Sequence, residues 1–150
     1  EIAFLVAGHP GMTPRPIGKV ASGGELSRIS LAISVTTSQL GTAPTLVFDE
    51  VDSGVGGAVA ETVGRLMRQL GRDRQVLAVT HLPQVAAYAD HHLMVSKRRN
   101  TKGTTSTVTP VLGDLRVTEV ARMLGGERPT GTSLAHASEM LSLANTPQKG

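Results

Sequence analysis

The chain of 150 residues contains no cysteine and no tryptophan, and its aromatic rings are those of Phe4, Phe48 and Tyr88. Without cysteine there is no disulfide and no thiolate metal site, an absence weakly cytosolic in character. So few rings leave no stacking platform for single-stranded nucleic acid. The core has to be built from Leu, Val, Ile, Ala and Met. The longest apolar run is far short of the ~20 residues that span a membrane, and no signal peptide is visible. No membrane association and a cytoplasmic location are expected. Internal repeats and low-complexity tracts are missing as well.

What is present suits one modest globular domain: 39% hydrophobic and 18% charged residues. The net charge of +3 and pI of about 9.8 suit a polyanionic partner without demanding one.

The densest chemistry lies in residues 19–57, KVASGGELSRISLAISVTTSQLGTAPTLVFDEVDSGVGG. Ser22, Gly23 and Gly24 precede the apolar positions Leu26, Ile29, Leu31, Ala32 and Ile33, so Ser22 reads as the N-cap of a helix over about 24–40. Glycines at its entry leave the first backbone N–H groups open to an anion, which the helix dipole favours by ~0.3–1 kcal/mol. An ordinary capped helix has the same pattern. Arg28 either pairs locally with Glu25 or faces a nucleotide across an interface.

Thr45, Leu46, Val47 and Phe48 form a continuous apolar run, expected to be a strand buried on both faces. It ends in Asp49 and Glu50, at the strand end where ligands bind in open α/β sheets. Successive strand residues point to opposite sides, so the two carboxylates can serve different roles. A helix over 57–70 carries Val59, Val63, Leu66, Met67 and Leu70 on one stripe, with Gly71 ending it. A second apolar strand over 75–80 follows and leads into His81. A right-handed crossover makes the two strands parallel neighbours and brings His81 to the edge that holds Asp49 and Glu50.

Elsewhere, residues 1–7 read as a strand, His9 as part of a loop, and 12–20 as extended loop around Pro14 and Pro16. A short helix starts at Leu82 and Pro83. His91 and His92 lack metal-ligand spacing and read as structural. The next strand begins at Leu93 and forms a hairpin with β-prone residues 104–112 around Gly103. Its basic tip, Lys97, Arg98, Arg99 and Lys102, is either solvated or touches DNA phosphates. Helices follow over 117–124 and, capped by Thr132 or Ser133, up to about Ala144.

These residues together resemble the C-terminal half of an ABC-type ATPase head. VASGGELSR is similar to the ABC signature, TLVFDE to the Walker B strand, residues 51–54 to the D-loop, and VLAVTHLPQVAAYADHHLMVSK to the switch-histidine region. The resemblance covers about residues 12–143 and is strongest to the RecN family, SMC-like bacterial proteins of DNA double-strand-break repair. It implies an α/β fold, a P-loop-type ABC ATPase head lobe over residues 1–144. That lobe has a mainly parallel sheet flanked by helices, an edge β-hairpin and C-terminal helices, with 145–150 a frayed tail.

The resemblance also implies cofactors and roles. ATP and Mg²⁺ are expected, with Asp49 orienting the metal through its water shell and Glu50 polarising the attacking water. His81 would contact the γ-phosphate. Ser22, Gly23, Gly24 and Glu25 belong to the nucleotide-binding signature, the first three capping the γ-phosphate of ATP on the opposite subunit. Asp52 would lie at the dimer interface near the other site. Two heads would sandwich two ATP molecules in a homodimer that acts on DNA.

No GxxxxGK[ST] phosphate loop occurs, and Gly18-Lys19 lacks both the upstream glycine and the following Ser or Thr. The expected partner is therefore an N-terminal Walker A lobe on a longer polypeptide, separated by a coiled coil, and this segment alone should have negligible ATPase activity. Two other readings compete: the head of another ABC ATPase, SMC-like or from a transporter, and a non-enzymatic half-head that binds DNA or a partner through residues 97–102. The first reading predicts that Glu50→Gln in an intact head slows ATP hydrolysis by ~10²–10⁴ while sparing ATP binding. Single-turnover kinetics beside nucleotide titration check this, and unchanged turnover would remove Glu50 from the mechanism.

Overall fold

A computed structural model describes residues 5–7, 11–17, 33, 36–38, 40–49, 55–101 and 103–146. The described strands pair two by two. The short strands β1 (Leu5–Val6) and β2 (Arg15–Pro16) are antiparallel, so part of the expected loop over 12–20 is paired. Strands β3 (Thr45–Asp49) and β4 (Gln75–Val79) are parallel, with Thr45 opposite Gln75 and Asp49 opposite Val79. Strands β5 (Leu93–Asn100) and β6 (Gly103–Pro110) make the expected antiparallel hairpin, and it bonds to no further strand among the described residues.

Helix α1 (Gly57–Leu70) connects β3 to β4 and supplies the first core. Ala60, Val63, Met67 and Leu70 recur at helical spacing and are buried, and they pack with Phe48, Val55 and Val85. Full burial of such side chains is worth ~1.5–3 kcal/mol each. Val59, expected on this stripe, is instead exposed, and Ala60 takes its place. The β3–β4 pair is also not buried on both faces. Leu46, Phe48 and Val76 face the α1 core, whereas Val47, Leu77 and Val79 are 66%, 47% and 60% exposed. Alternation along each strand gives one face to α1, and the described residues supply no second layer for the other.

The second core joins three helices. Helix α2 (Pro83–Ala87) starts with proline at its first turn, where a missing N–H costs nothing. Helix α3 (Gly113–Gly125) begins earlier than its apolar pattern suggested, because Leu115 at its start is exposed and adds nothing to the stripe. Helix α4 (Gly131–Asn145) is capped by Thr130 rather than Thr132 or Ser133. The Ser133 N–H donates to Thr130 Oγ1 at 3.2 Å and the Thr130 N–H donates to Ser133 Oγ at 2.8 Å, a reciprocal capping box. Ala87, Val120, Ala121, Ala137, Leu141 and Ala144 form the buried cluster. Small residues at four of these positions let the helices approach closely.

Gly64 sets the contact between α1 and α2. A Cβ there would lie 2.8 Å from Tyr88 Cδ2 and 3.1 Å from the Gln84 carbonyl oxygen. In an open helix Gly→Ala stabilises by about 1 kcal/mol. Here the collision reverses the sign, and Gly64→Ala is expected to destabilise by about 1–3 kcal/mol. A urea midpoint that stays or rises would show that α2 is free to shift.

Candidate active-site edge

The β3–α1–β4 unit places two of the expected residues side by side. Asp49 ends β3 directly opposite Val79, and His81 follows Val79 by two residues on the neighbouring strand. Both lie at the carboxyl edge of a parallel pair, and both are exposed. The turn into His81 is stabilised locally: the Leu82 N–H donates to Thr80 Oγ1 at 3.0 Å. Val55 is buried, and the chain turns into α1 through Gly57, whose φ of +55° favours glycine. Ser22, Gly23, Gly24, Glu25, Arg28, Glu50, Asp52 and Lys102 lie outside the described residues.

Asp49 offers an exposed carboxylate, a hard oxygen donor of the kind Mg²⁺ takes. No cluster of three or more His, Asp or Glu side chains suited to a metal occurs among the described residues. His91 is exposed, and His92 is half-buried, its basicity lowered by burial and then by nearby Arg116. A depression of about 260 Å³ beside α1, α2 and α4 is lined by Glu61, Tyr88 and His136 among others, and neither Asp49 nor His81 lines it.

Three arginines brace backbone carbonyls in a way the sequence did not announce. The Arg116 guanidinium of α3 donates to the carbonyls of Ala86 at 3.2 Å, Ala87 at 3.3 Å and Ala89 at 2.6 Å. These carbonyls end α2, the helix that begins just after His81. Burial lowers the Arg116 pKa, the nearby Asp90 carboxylate opposes that shift, and the Arg116 Nε has no hydrogen-bond partner among the described residues. Arg68 of α1 bonds the Ala144 carbonyl and lies 3.8 Å from Asp90, tying α1 to α4. Arg74, before β4, donates to the carbonyls of Ser38 at 2.6 Å and Gly41 at 3.1 Å. It thereby closes the end of the helical residues 36–38 onto the sheet.

Arg116→Ala would leave the α2 carbonyls without that donor. We expect a loss of about 2–3 kcal/mol, the range for hydrogen bonds to a charged group. Amide exchange over residues 86–89, at the end of α2 and just after it, should accelerate more than exchange over α3. Equal exchange in both variants would show that water replaces the guanidinium.

No family model matches the chain. It is 49% identical to the DNA repair protein RecN of Streptomyces coelicolor over 144 residues, 96% of this chain and 25% of that protein. Among solved structures it is similar to one from work on ATP-driven dimerization and DNA-stimulated activation of SMC ATPases. That likeness has a TM-score of 0.59 at 22% identity and covers 93% of this chain and 70% of the other. It is also similar to the SMC head domain from Thermotoga maritima, with a TM-score of 0.53 at 28% identity over 69% of this chain and 38% of that one. The chain spans about a quarter of the length of the RecN relatives it matches. It is a RecN-like sequence with the fold of an SMC-type ATPase head, corresponding to the C-terminal half of an ABC-type head.

Proposed function

We propose that this segment is the half of a RecN-like ATPase head that supplies the Walker B, switch-histidine and signature chemistry, in a protein acting in DNA double-strand-break repair. ATP binding and hydrolysis would be coupled there to head dimerisation. The observation that carries the reading is the placement of Asp49 at the end of β3 and of His81 two residues beyond the end of its parallel neighbour β4, both exposed at the carboxyl edge of the pair. A polar tip beside a second polar tip, at the carboxyl end of a parallel pair, is where α/β folds hold phosphorylated ligands.

In this reading Asp49 holds Mg²⁺ through water, and the ion supplies charge neutralisation for the β- and γ-phosphates. Glu50 accepts a proton from the attacking water. His81 donates a hydrogen bond to the γ-phosphate, and the brace from Arg116 keeps the segment that follows it in place. Ser22, Gly23, Gly24 and Glu25 face the nucleotide of a second head, with Asp52 beside the interface. ATP is then the differential contact that favours the closed homodimer. The open sheet face at Val47, Leu77 and Val79 suits cover by the Walker A lobe. Among the described residues no helix is long and apolar enough to cross a membrane. The reading implies a cytoplasmic protein with access to chromosomal DNA.

ATP turnover by this chain alone, and mixed with a polypeptide carrying the Walker A lobe, tests the proposal. Turnover is expected in the mixture only, and it should vanish with Asp49→Ala. A folded complex without turnover would point to a binding module instead.

A further inference from the structure

The charge of the chain is unevenly placed. Residues 93–110 hold Lys97, Arg98, Arg99 and Lys102 and no acidic residue, so the remaining positions carry eleven basic against twelve acidic residues. The whole positive excess of the molecule therefore belongs to the β5–β6 hairpin. Lys97, Arg98 and Arg99 are exposed, and the ion pairs among the described residues, Arg68–Asp90 and Arg122–Glu119, leave them out. The hairpin is also rich in hydroxyls. Ser106, Thr105 and Thr104 stand directly opposite Lys97, Arg98 and Arg99 in the ladder.

We propose that the distal half of this hairpin is a contact surface for the phosphate backbone of double-stranded DNA. The proposal rests on the DNA-repair part of the function proposed above and adds the surface that meets the duplex. Strand alternation puts Lys97 and Arg99 on one face and Arg98 on the other, so cations line both faces of the ribbon. Lys and Arg with neighbouring Ser and Thr hydroxyls are the donor set that phosphate oxygens take, without reading sequence.

Other polyanions fit less well. The exposed apolar residues Leu93, Val95 and Val108 sit at the root of the hairpin, and the cationic rungs beyond them carry no apolar side chain. A protein partner would want an aromatic or aliphatic anchor there, and a lipid surface would want one to insert. Single strands and RNA loops would want rings for base stacking, and residues 93–110 contain none. What remains is charge and hydroxyls along a two-stranded ribbon, which suits a duplex backbone.

The test uses the full-length protein that carries this segment, with a fluorescent DNA duplex of arbitrary sequence titrated between about 50 and 200 mM salt. In the triple variant Lys97→Gln, Arg98→Gln, Arg99→Gln, the slope of log Kobs against log salt should become shallower by about 2–3. Affinity near physiological salt should fall roughly a hundredfold. The single variant Arg99→Gln, at the end of the ladder, should reduce the slope by about 1. Tm and ATP turnover without DNA should match the unsubstituted protein in both. Slope and affinity unchanged in both variants would overturn the proposal, as would a loss confined to single-stranded DNA. If the unsubstituted protein fails to turn over ATP, the ATPase reading falls while the comparison of slopes still decides the hairpin.

Discussion

The packing of α1 against β3 and β4 is the constraint on which the rest depends. Phe48 from β3 meets Val63, Met67 and Leu70 from α1, and Val85 from α2 closes the same cluster. Because the crossover is a helix, the two strands run parallel, and their carboxyl ends finish at one edge. Asp49 and His81 meet there as a consequence of core burial. Both side chains are exposed at that edge. Buried apolar residues set the geometry, and the strand tips display the chemistry.

Helix α2 joins the two cores, with Val85 in the first and Ala87 in the second, and Arg68 adds a polar tie from α1 to α4. Arg116, Arg68 and Arg74 all donate to backbone carbonyls at the ends of helices or in the turns after them. Such carbonyls lack partners within their own helix, and a guanidinium can serve several from one position. Through Arg116 the α3–α4 pair holds the helix that follows His81.

Much of this was legible in the sequence. The apolar runs at 45–48 and 76–79 and the 3.6-residue stripe of α1 specified a parallel βαβ unit, and the Gly103 turn specified the hairpin. The resemblance to an ABC-type head rests on the signature, Walker B and switch-histidine motifs, and the relatives and the fold agree with it. Burial on both faces of β3 was not legible, because an unbroken apolar run reads alike whether the second layer belongs to this segment or to another. The Thr130 cap was missed because three nearby hydroxyl residues, Thr130, Thr132 and Ser133, compete and the backbone chooses among them. The role of Arg116 was illegible for a different reason. Its acceptors are carbonyls 27 to 30 residues away, and carbonyls leave no mark on a sequence.

The central claim is that this chain supplies one half of an ATPase head whose sheet a second lobe completes. Backbone amide exchange over residues 45–49 and 75–79 tests it most directly. The chain should be compared alone and with the polypeptide carrying the Walker A lobe. Each strand of a two-stranded sheet has an outer edge with unpaired N–H groups. The account predicts that exchange at these strands slows when the lobe is added and slows further with ATP. Exchange that stays the same in a demonstrated complex would contradict it, since the two polypeptides would then be associating away from the sheet.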